Sequence, residues 1–297
     1  MNFRNPLFLR ALWGMVTLLL TACVATSALA DISVREIKIP MTVKGMLSDS
    51  HIQLSATEYK PEGDGPFPLL LINHGTPRSQ AEFATVKNNY AWQAQLFAQR
   101  GFVVIHTLRR GYGGSDGPWA ENYFSCANPD YIGAGLETAK DIHAALEYGR
   151  AQPYVDAQHV VLLGKSAGGF GVLALSSQNP AGVVATINFA GGRGSRGPDN
   201  VCNEGKLVDA FSHYASTTHV PMLWFYSEND HFFGPALAKR LGEAYQSKGV
   251  DLDLEIVPAY GNDGHSFFEG RPNASVWVPT VDAFFKKIGL QDFKQSN

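Results

Sequence analysis

A serine in the middle of the chain lies in a glycine-rich turn, where its hydroxyl could act as a nucleophile. Residues 159–171 read HVVLLGKSAGGFG, so an apolar run enters the turn and Ser166 occupies the centre of a Gly-x-Ser-x-Gly pattern. A strand that bends sharply into a helix at such a pattern leaves the serine exposed at the tip, beside free backbone N–H groups. That placement suits attack on a carbonyl carbon, and the alternative is a tight turn without chemistry.

A serine needs a base to take its proton, and the base needs an acid to orient it. On a turn of this type the acid and the histidine follow the serine in that order. Asp230 ends the apolar run 221–230, with Glu228 as the reserve acid, and His265 lies beyond the last strand-like run. The sequence therefore predicts a triad of Ser166, Asp230 and His265.

The remaining histidines are expected to serve other purposes. Four precede the serine and lie within predicted strands or helices or at their edges: His51, His106, His143 and His159. Two lie in the connection before the Asp230 strand: His213 and His219. His231 adjoins Asp230, but its side chain should point away from it.

Two backbone N–H groups should face the oxyanion of a tetrahedral intermediate. One is that of Ala167, which directly follows the serine, and the other is expected in the loop His74-Gly75-Thr76-Pro77, after an earlier strand. Thr76 is the better donor because proline has no N–H. His74 is expected to brace this loop.

Around these residues, apolar runs alternate with helical patterns. Segments 32–40 and 51–61 alternate residue by residue and predict an antiparallel edge hairpin. Buried-type strands are predicted at 68–75, 102–108, 159–164, 183–192, 221–230 and 252–261, and helices at 80–101 (closed by Gly101), 131–152, 170–178, 234–249 and 274–289. This alternation predicts an α/β fold with a mostly parallel central sheet of about eight strands and helices on both faces.

The composition is that of a globular protein. The chain has 297 residues, of which 45% are hydrophobic and 17% charged, and its interior shows no linker, charge block or repeat. Residues 31–297 are therefore predicted to form a single domain. The formal net charge of −3 argues against a nucleic-acid or membrane-surface partner.

The first thirty residues have the pattern of an export signal. A basic start leads into the apolar stretch 11–25, and Ala28-Leu29-Ala30 supplies a small-x-small cleavage site. We predict a signal peptide over 1–30, no membrane span, and a periplasmic or secreted protein. The alternative is a lipoprotein, because Leu20 to Cys23 resembles a lipoprotein box in which Cys23 is lipidated.

Two cysteines remain in the chain whether the signal peptide is cleaved after Ala30 or Cys23 is lipidated. Disulfides form in oxidising compartments outside the cytoplasm, so Cys126 and Cys202 predict one bridge. Each lies in a loop at the rim of the predicted sheet, and the bridge would join those two loops. Two free buried thiols are the alternative.

The loop 109–131 is long enough to suggest a functional role. Trp119, Tyr123 and Phe124 from this loop, with Phe232 and Phe267 opposite, could wall an acyl pocket, and plain packing is the alternative for each.

A second loop, residues 191–197, contains Gly-x-Gly-x-x-Gly, but no periodic helix follows it, so no dinucleotide site is expected. Its Arg193 and Arg196 could meet an anionic substrate group or lie in a solvated loop. Metal-binding motifs are absent from the sequence, and neither a metal nor another cofactor is expected.

Three segments, GKSAGG, SENDHFFGP and HGTP, resemble the α/β-hydrolase superfamily over residues 32–290. The compact arrangement is most similar to the branch of dienelactone hydrolases and prolyl-oligopeptidase catalytic domains. The resemblance implies acyl-transfer hydrolysis without a cofactor. Ser166 stands where dienelactone hydrolases carry cysteine, which favours ester or amide substrates, and the absence of an upstream propeller argues against a restricted oligopeptidase.

The sequence thus predicts an exported serine hydrolase that cleaves small carboxylic esters through an acyl-enzyme. The alternatives are a peptidase or amidase of the prolyl-oligopeptidase type, a binding protein that kept the fold without activity, and a lyase on the same scaffold.

Overall fold

An eight-stranded sheet organises residues 31–290, the part of the chain that the computed structural model describes. Only the second strand runs against the other seven, since it pairs antiparallel with both of its neighbours. The sheet strands are β1 Ile32–Val43, β2 Ser50–Pro61, β3 Phe67–Asn73, β4 Val103–Thr107, β5 Val155–Lys165, β6 Val183–Phe189, β9 Met222–Ser227 and β10 Leu252–Val257, and a separate hairpin consists of β7 Ser195–Gly197 and β8 Asn200–Val201. The mostly parallel sheet and its edge hairpin are confirmed.

Six α-helices connect or flank these strands. They are α1 Ala91–Ala98, α2 Tyr131–Arg150, α3 Ala167–Ser176, α4 Glu204–Ala215, α5 Pro235–Gln246 and α6 Ala274–Lys287, with 3-10 turns at Gln80–Thr85, Gly264–Ser266 and Arg271–Asn273. None of the helices in the described region is long and apolar enough to cross a bilayer. The predicted signal segment 1–30, including Cys23, lies outside the described residues.

Alternation along the central strands sends side chains to two separate cores. Leu69 and Leu71 of β3 join the cluster that packs against α2 to α5, whereas Leu70 and Ile72 join the cluster that packs against α1 and α6. Because successive side chains of a strand point to opposite faces, the helices must cover both sides of the sheet. This burial explains why β3 is apolar at nearly every position.

The predicted helix over 80–101 is divided. A 3-10 turn ends at Thr85 and α1 begins only at Ala91. Between them the Asn88 carboxamide accepts the Tyr90 N–H and donates to the Tyr59 hydroxyl, which replaces helical hydrogen bonds with side-chain bonds.

The strand order is β1-β2-β4-β3-β5-β6-β9-β10, so the chain moves outward from β3 in both directions. Segments that leave the carboxyl ends of parallel strands gather at one edge of a sheet, and ligands bind there at the switch point. The Thr76 loop follows β3, Ser166 follows β5, Asp230 follows β9 and His265 follows β10. The fold therefore brings the predicted site residues to a common edge.

Two glycines allow the close approach of backbones at the β5–α3 turn. A Cβ added to Gly164 would lie 2.3 Å from the Gly168 carbonyl oxygen, and one added to Gly168 would lie 2.3 Å from the Asn73 carbonyl oxygen. Both obstacles are backbone atoms, which cannot swing aside as a side chain can. The glycines of the Gly-x-Ser-x-Gly pattern are thus required sterically.

Gly168→Ala should lower the free energy of unfolding by about 1–3 kcal/mol or more, because the methyl group must displace backbone. Gly205→Ala is the matched control, since its Cβ would meet only an ordinary contact at 3.6 Å, and its effect should stay within about 1 kcal/mol. Urea denaturation followed by circular dichroism measures both. Equal stabilities for the two variants would contradict the steric account.

Candidate active site

Ser166 occupies the tip of the β5–α3 turn with φ 56° and ψ −122°. A positive φ is unusual for a residue with a side chain and persists only where the surroundings impose it. Its N–H donates to the Phe189 carbonyl at 2.9 Å, and its own carbonyl accepts from the Gly192 N–H at 3.2 Å. The end of β6 and the loop after it therefore hold the predicted nucleophile in its strained conformation.

The structure brings Ser166, His265 and Asp230 into one hydrogen-bonded line. His265 Nε2 lies 3.0 Å from Ser166 Oγ, and His265 Nδ1 lies 3.1 Å and 3.2 Å from the two Asp230 carboxylate oxygens. Because the carboxylate can only accept, the imidazole proton is assigned to Nδ1 and the free lone pair of Nε2 faces the serine. This is the arrangement in which a neutral histidine can take the serine proton.

Burial and neighbouring charges keep the acid ionised and the base neutral. Desolvation opposes ionisation of Asp230, but the attraction of His265 and hydrogen bonds from two backbone N–H groups bring the pKa of the carboxyl below its usual value. Burial, together with the positive charge of Lys165, lowers the pKa of His265 despite the opposing effect of Asp230. A neutral imidazole beside a carboxylate is therefore the resting state at neutral pH.

Asp263 joins the loops that carry the acid and the base. Its Oδ1 accepts the backbone N–H groups of His231 and His265, each at 3.0 Å. The same carboxylate caps the 3-10 turn Gly264–Ser266. Sequence reasoning missed this residue, although an aspartate just before a short turn is a typical capping signal.

A cation and an aromatic ring cover the imidazole. The Phe232 ring stacks on His265 with centroids 3.8 Å apart, and the Arg78 guanidinium lies 3.4 Å above the other face of Phe232. Arg78 also donates to Ser195 Oγ at 2.8 Å. The stack fixes the plane of the imidazole and leaves it buried. Sequence reasoning did not identify Arg78, because its contacts come from distant segments.

The predicted oxyanion donors lie beside the nucleophile. Thr76, Ser166 and Ala167 line the same cleft, and a Cβ added to Gly75 would lie 3.0 Å from Ser166 Cβ. Within residues 31–290, neither the Thr76 N–H nor the Ala167 N–H donates to a protein acceptor. Both groups are thus available to a ligand.

The cleft has two lobes that meet at Ser166. The aromatic lobe, of about 210 Å³, extends to Phe83, Trp119 and Tyr123. The polar lobe, of about 230 Å³, extends past His265 to Lys165, Glu269 and further polar side chains. The two lobes share Thr76, Pro77, Arg78, Ser166 and Phe232.

Three of the predicted pocket residues, Trp119, Tyr123 and Phe232, line the aromatic lobe. Phe267 does not, because it packs in the core cluster with Phe268; the expectation that it faces the substrate is corrected.

Arg193 also differs from expectation. It borders the aromatic lobe, but its guanidinium is buried and donates to the Glu121 carboxylate. The Arg193 guanidinium is therefore neither free to bind an anionic substrate group nor exposed to solvent. Arg196 is exposed, as a solvated loop requires.

The structure contains the predicted disulfide. Cys126 and Cys202 are joined, with Cα atoms 4.9 Å apart and a sequence separation of 76. The bridge connects the loop 109–130 to the segment that follows β8. Trp119 and Tyr123 of that loop line the aromatic lobe, so the bridge limits how far the loop can move from the β7–β8 hairpin.

Residues 192–197 run into the β7–β8 hairpin, and the next helix begins only at Glu204. Within the described part of the chain, no group of three or more histidine, cysteine, aspartate or glutamate side chains is placed to hold a metal ion.

A nucleophile turn, a mostly parallel sheet and loops at its carboxyl edge define the α/β-hydrolase fold class. The sequence profile of the dienelactone hydrolase family matches residues 81–286. This match covers more than half of the chain, and the protein belongs to that family.

Three comparisons show what the chain is similar to. Dipeptidyl-peptidase 5 of Porphyromonas gingivalis is 25% identical over 215 residues, which is 65% of this chain but 30% of that protein's length. An esterase from Pyrococcus furiosus is 14% identical with a TM-score of 0.59, over 86% of this chain and 90% of the other. The acylaminoacyl peptidase of Pyrococcus horikoshii is 18% identical with a TM-score of 0.61, over 86% and 42%. The two solved structures establish likeness of fold alone.

The charges around His265 predict how its titration responds to substitution. Lys165 Nζ lies 3.1 Å from Glu269 Oε1, and the two charges act on His265 with opposite signs. Lys165→Gln removes a repulsive cation and should raise the pKa of His265, whereas Glu269→Gln removes an attractive anion and should lower it.

NMR titration of the histidine ring resonances, assigned with a His265 variant, measures both shifts. Lys248→Gln, a remote surface change, is the control and should leave the resonance unmoved. Shifts in the same direction for both test variants would contradict this electrostatic account.

Proposed function

We propose that this protein is a serine hydrolase that cleaves carboxylic esters through an acyl-enzyme. The observation that carries the proposal is the hydrogen-bonded line from Ser166 Oγ through His265 to Asp230, in a cleft bordered by two unpaired backbone N–H groups. Membership of a hydrolase family supports the same conclusion.

The proposed reaction has two halves. Ser166 Oγ attacks the ester carbonyl carbon while its proton passes to His265 Nε2, and Asp230 stabilises the resulting imidazolium. The Thr76 and Ala167 N–H groups hold the negative oxygen. When the intermediate collapses, the bond to the alcohol oxygen breaks and the His265 proton moves to that oxygen. Water then repeats the sequence on the acyl-enzyme, releasing the acid and restoring Ser166.

The two lobes suggest how a substrate is oriented. The atom that leaves must lie near His265 Nε2 to receive its proton, and the imidazole borders the polar lobe. The alcohol would then occupy the polar lobe and the acyl group the aromatic lobe. At about 210 Å³, the aromatic lobe is smaller than pockets for drug-sized ligands, which favours short acyl groups.

Export is also part of the proposal. A disulfide joins two loops of the protein, and disulfides persist in oxidising compartments. With the signal-like residues 1–30, this supports a periplasmic or secreted enzyme, with a lipid anchor at Cys23 as the alternative.

Ser166→Ala should lower kcat for p-nitrophenyl butyrate by at least about a thousandfold, because loss of a serine nucleophile disables the whole triad. Absorbance of released p-nitrophenol measures the rate, and circular dichroism checks the fold. A fluorophosphonate probe should label the wild type and fail on the variant. Ser247→Ala, at an exposed helix end, is the matched control.

Retention of turnover by the folded Ser166→Ala variant would refute the assignment. A wild type that neither turns over the ester nor reacts with the probe would favour a binding protein without catalytic activity.

A peptidase is the second candidate, because a dipeptidyl peptidase is among the relatives. The residues that line the aromatic lobe include Arg78 and Arg193 but no aspartate or glutamate. A peptide with a free amino terminus would place its ammonium group there without a carboxylate partner, which costs binding energy. The lining therefore favours esters over such peptides.

The wild type should hydrolyse p-nitrophenyl butyrate but show no measurable release of p-nitroaniline from dipeptidyl p-nitroanilides. Both products are followed by absorbance under the same conditions, and the Ser166→Ala variant gives the background. Comparable kcat/KM values for the two substrate classes would instead establish the peptidase.

A further inference from the structure

A buried ion cluster lies directly behind the loop that carries Thr76. We propose that Glu121 is a positioning residue for ester cleavage, holding the Thr76 N–H where it meets the oxyanion. This inference rests on the proposed function and assigns a role to a residue outside the triad. Glu121 lies in the long loop 109–130, for which the sequence predicted pocket walls and the Cys126 disulfide but no role for Glu121.

The Glu121 carboxylate is the centre of the cluster. Its Oε1 accepts from Arg109 Nε, and its Oε2 accepts from Arg193 Nη2 and from the Tyr112 hydroxyl at 3.0 Å. The residue is 1% exposed. Burial opposes its ionisation, but the two guanidinium groups hold the pKa of the carboxyl well below its usual range. The paired guanidinium groups therefore favour the ionised form of the buried carboxyl.

Arg109 connects the Glu121 carboxylate to the start of the Thr76 loop through hydrogen bonds. Fixed by Glu121, its guanidinium donates through Nη1 to the His74 carbonyl at 2.6 Å. Its backbone N–H donates to His74 Nε2 at 3.1 Å, which assigns the ring proton to Nδ1, facing the Gly75 carbonyl at 2.6 Å. Burial and the charge of Arg109 lower the pKa of His74, so the ring stays neutral and able to accept.

The Thr76 hydroxyl completes the link. Thr76 Oγ1 lies 2.8 Å from the Tyr112 hydroxyl, 3.3 Å from Glu121 Oε2 and 3.4 Å from Arg109 Nη2. A β-branched side chain has few χ1 options, so anchoring its oxygen restrains the backbone to which it is attached. Pro77 further restricts Thr76 to extended conformations. With both sides of the residue held, its N–H has a fixed direction.

A fixed donor matters because it stabilises charge that exists only in the transition state. Removal of one oxyanion donor typically costs about a hundredfold to a thousandfold in kcat. When the donor is loosened but not removed, kcat should fall by a smaller factor, about tenfold or more. Loss of positioning should therefore lower kcat and leave KM nearly constant.

The test uses isosteric variants of the full-length mature enzyme with p-nitrophenyl butyrate. Thr76→Val deletes the hydroxyl while sparing the ion pairs, and Glu121→Gln removes the charge at constant volume. Each should lower kcat by about tenfold or more, with affinity for a boronic acid inhibitor falling in parallel, because the boronate adduct places an oxygen in the oxyanion site. Thr76→Ser, which keeps the hydroxyl, should recover most of the kcat lost in Thr76→Val.

A double-mutant cycle then tests the connection between the two residues. The combined variant should lose much less than the product of the two single losses, since both substitutions break the same link. Independent losses that multiply, or a Thr76→Val variant with unchanged kcat, would overturn the proposal. If Glu121→Gln does not fold, the comparison of Thr76→Val with Thr76→Ser decides alone, and equal kcat values for these two variants would also overturn it.

These outcomes are separate from the test of the proposed function. Failure of the positioning role leaves turnover dependent on Ser166, whereas turnover that survives Ser166→Ala removes the function on which the role rests.

Discussion

Close backbone contact at the β5–α3 turn is the constraint on which the rest of the site depends. Gly164 lets β5 approach the start of α3, and Gly168 lets that start pass within contact distance of β3. Ser166 lies between them at a positive φ. A serine held in this way cannot adapt its position to its partners. Asp230, His265 and the Thr76 loop must therefore be positioned to meet Ser166, and separate sets of buried hydrogen bonds position them.

In each set of bonds, a charged side chain is buried away from water and is held by hydrogen-bond partners in fixed positions. Asp230 is satisfied by His265 and backbone N–H groups, and Glu121 is satisfied by two arginines. Such groups contribute little net stability, because desolvation offsets the attraction. They contribute orientation instead, because a buried charged side chain with several fixed partners has one low-energy position. The site thus gains preorganisation at a cost in stability.

The cleft also relates this protein to its family. Dienelactone hydrolase membership establishes a hydrolase scaffold, while the lobes on either side of Ser166 differ in chemical character. Phe83, Trp119 and Tyr123 line only the first lobe, and Lys165 and Glu269 line only the second. The disulfide and the pair between Glu121 and Arg193 both connect the loop 109–130 to the segment between β6 and α4. Both connections limit how far these two segments can move apart.

The sequence by itself determined the alternating fold and pointed to the three residues that the structure joins in one line. These features follow from local patterns: an apolar run predicts a strand, glycines permit a tight turn, and the carboxyl ends of parallel strands share an edge. Tertiary structure alone decided that Arg193 pairs with Glu121, that Phe267 enters the core and that Arg78 covers Phe232. The physical reason is that a charged or aromatic side chain in a loop has no periodicity to indicate its surroundings. Its burial depends on segments far away in the chain, which meet only when the sheet has formed.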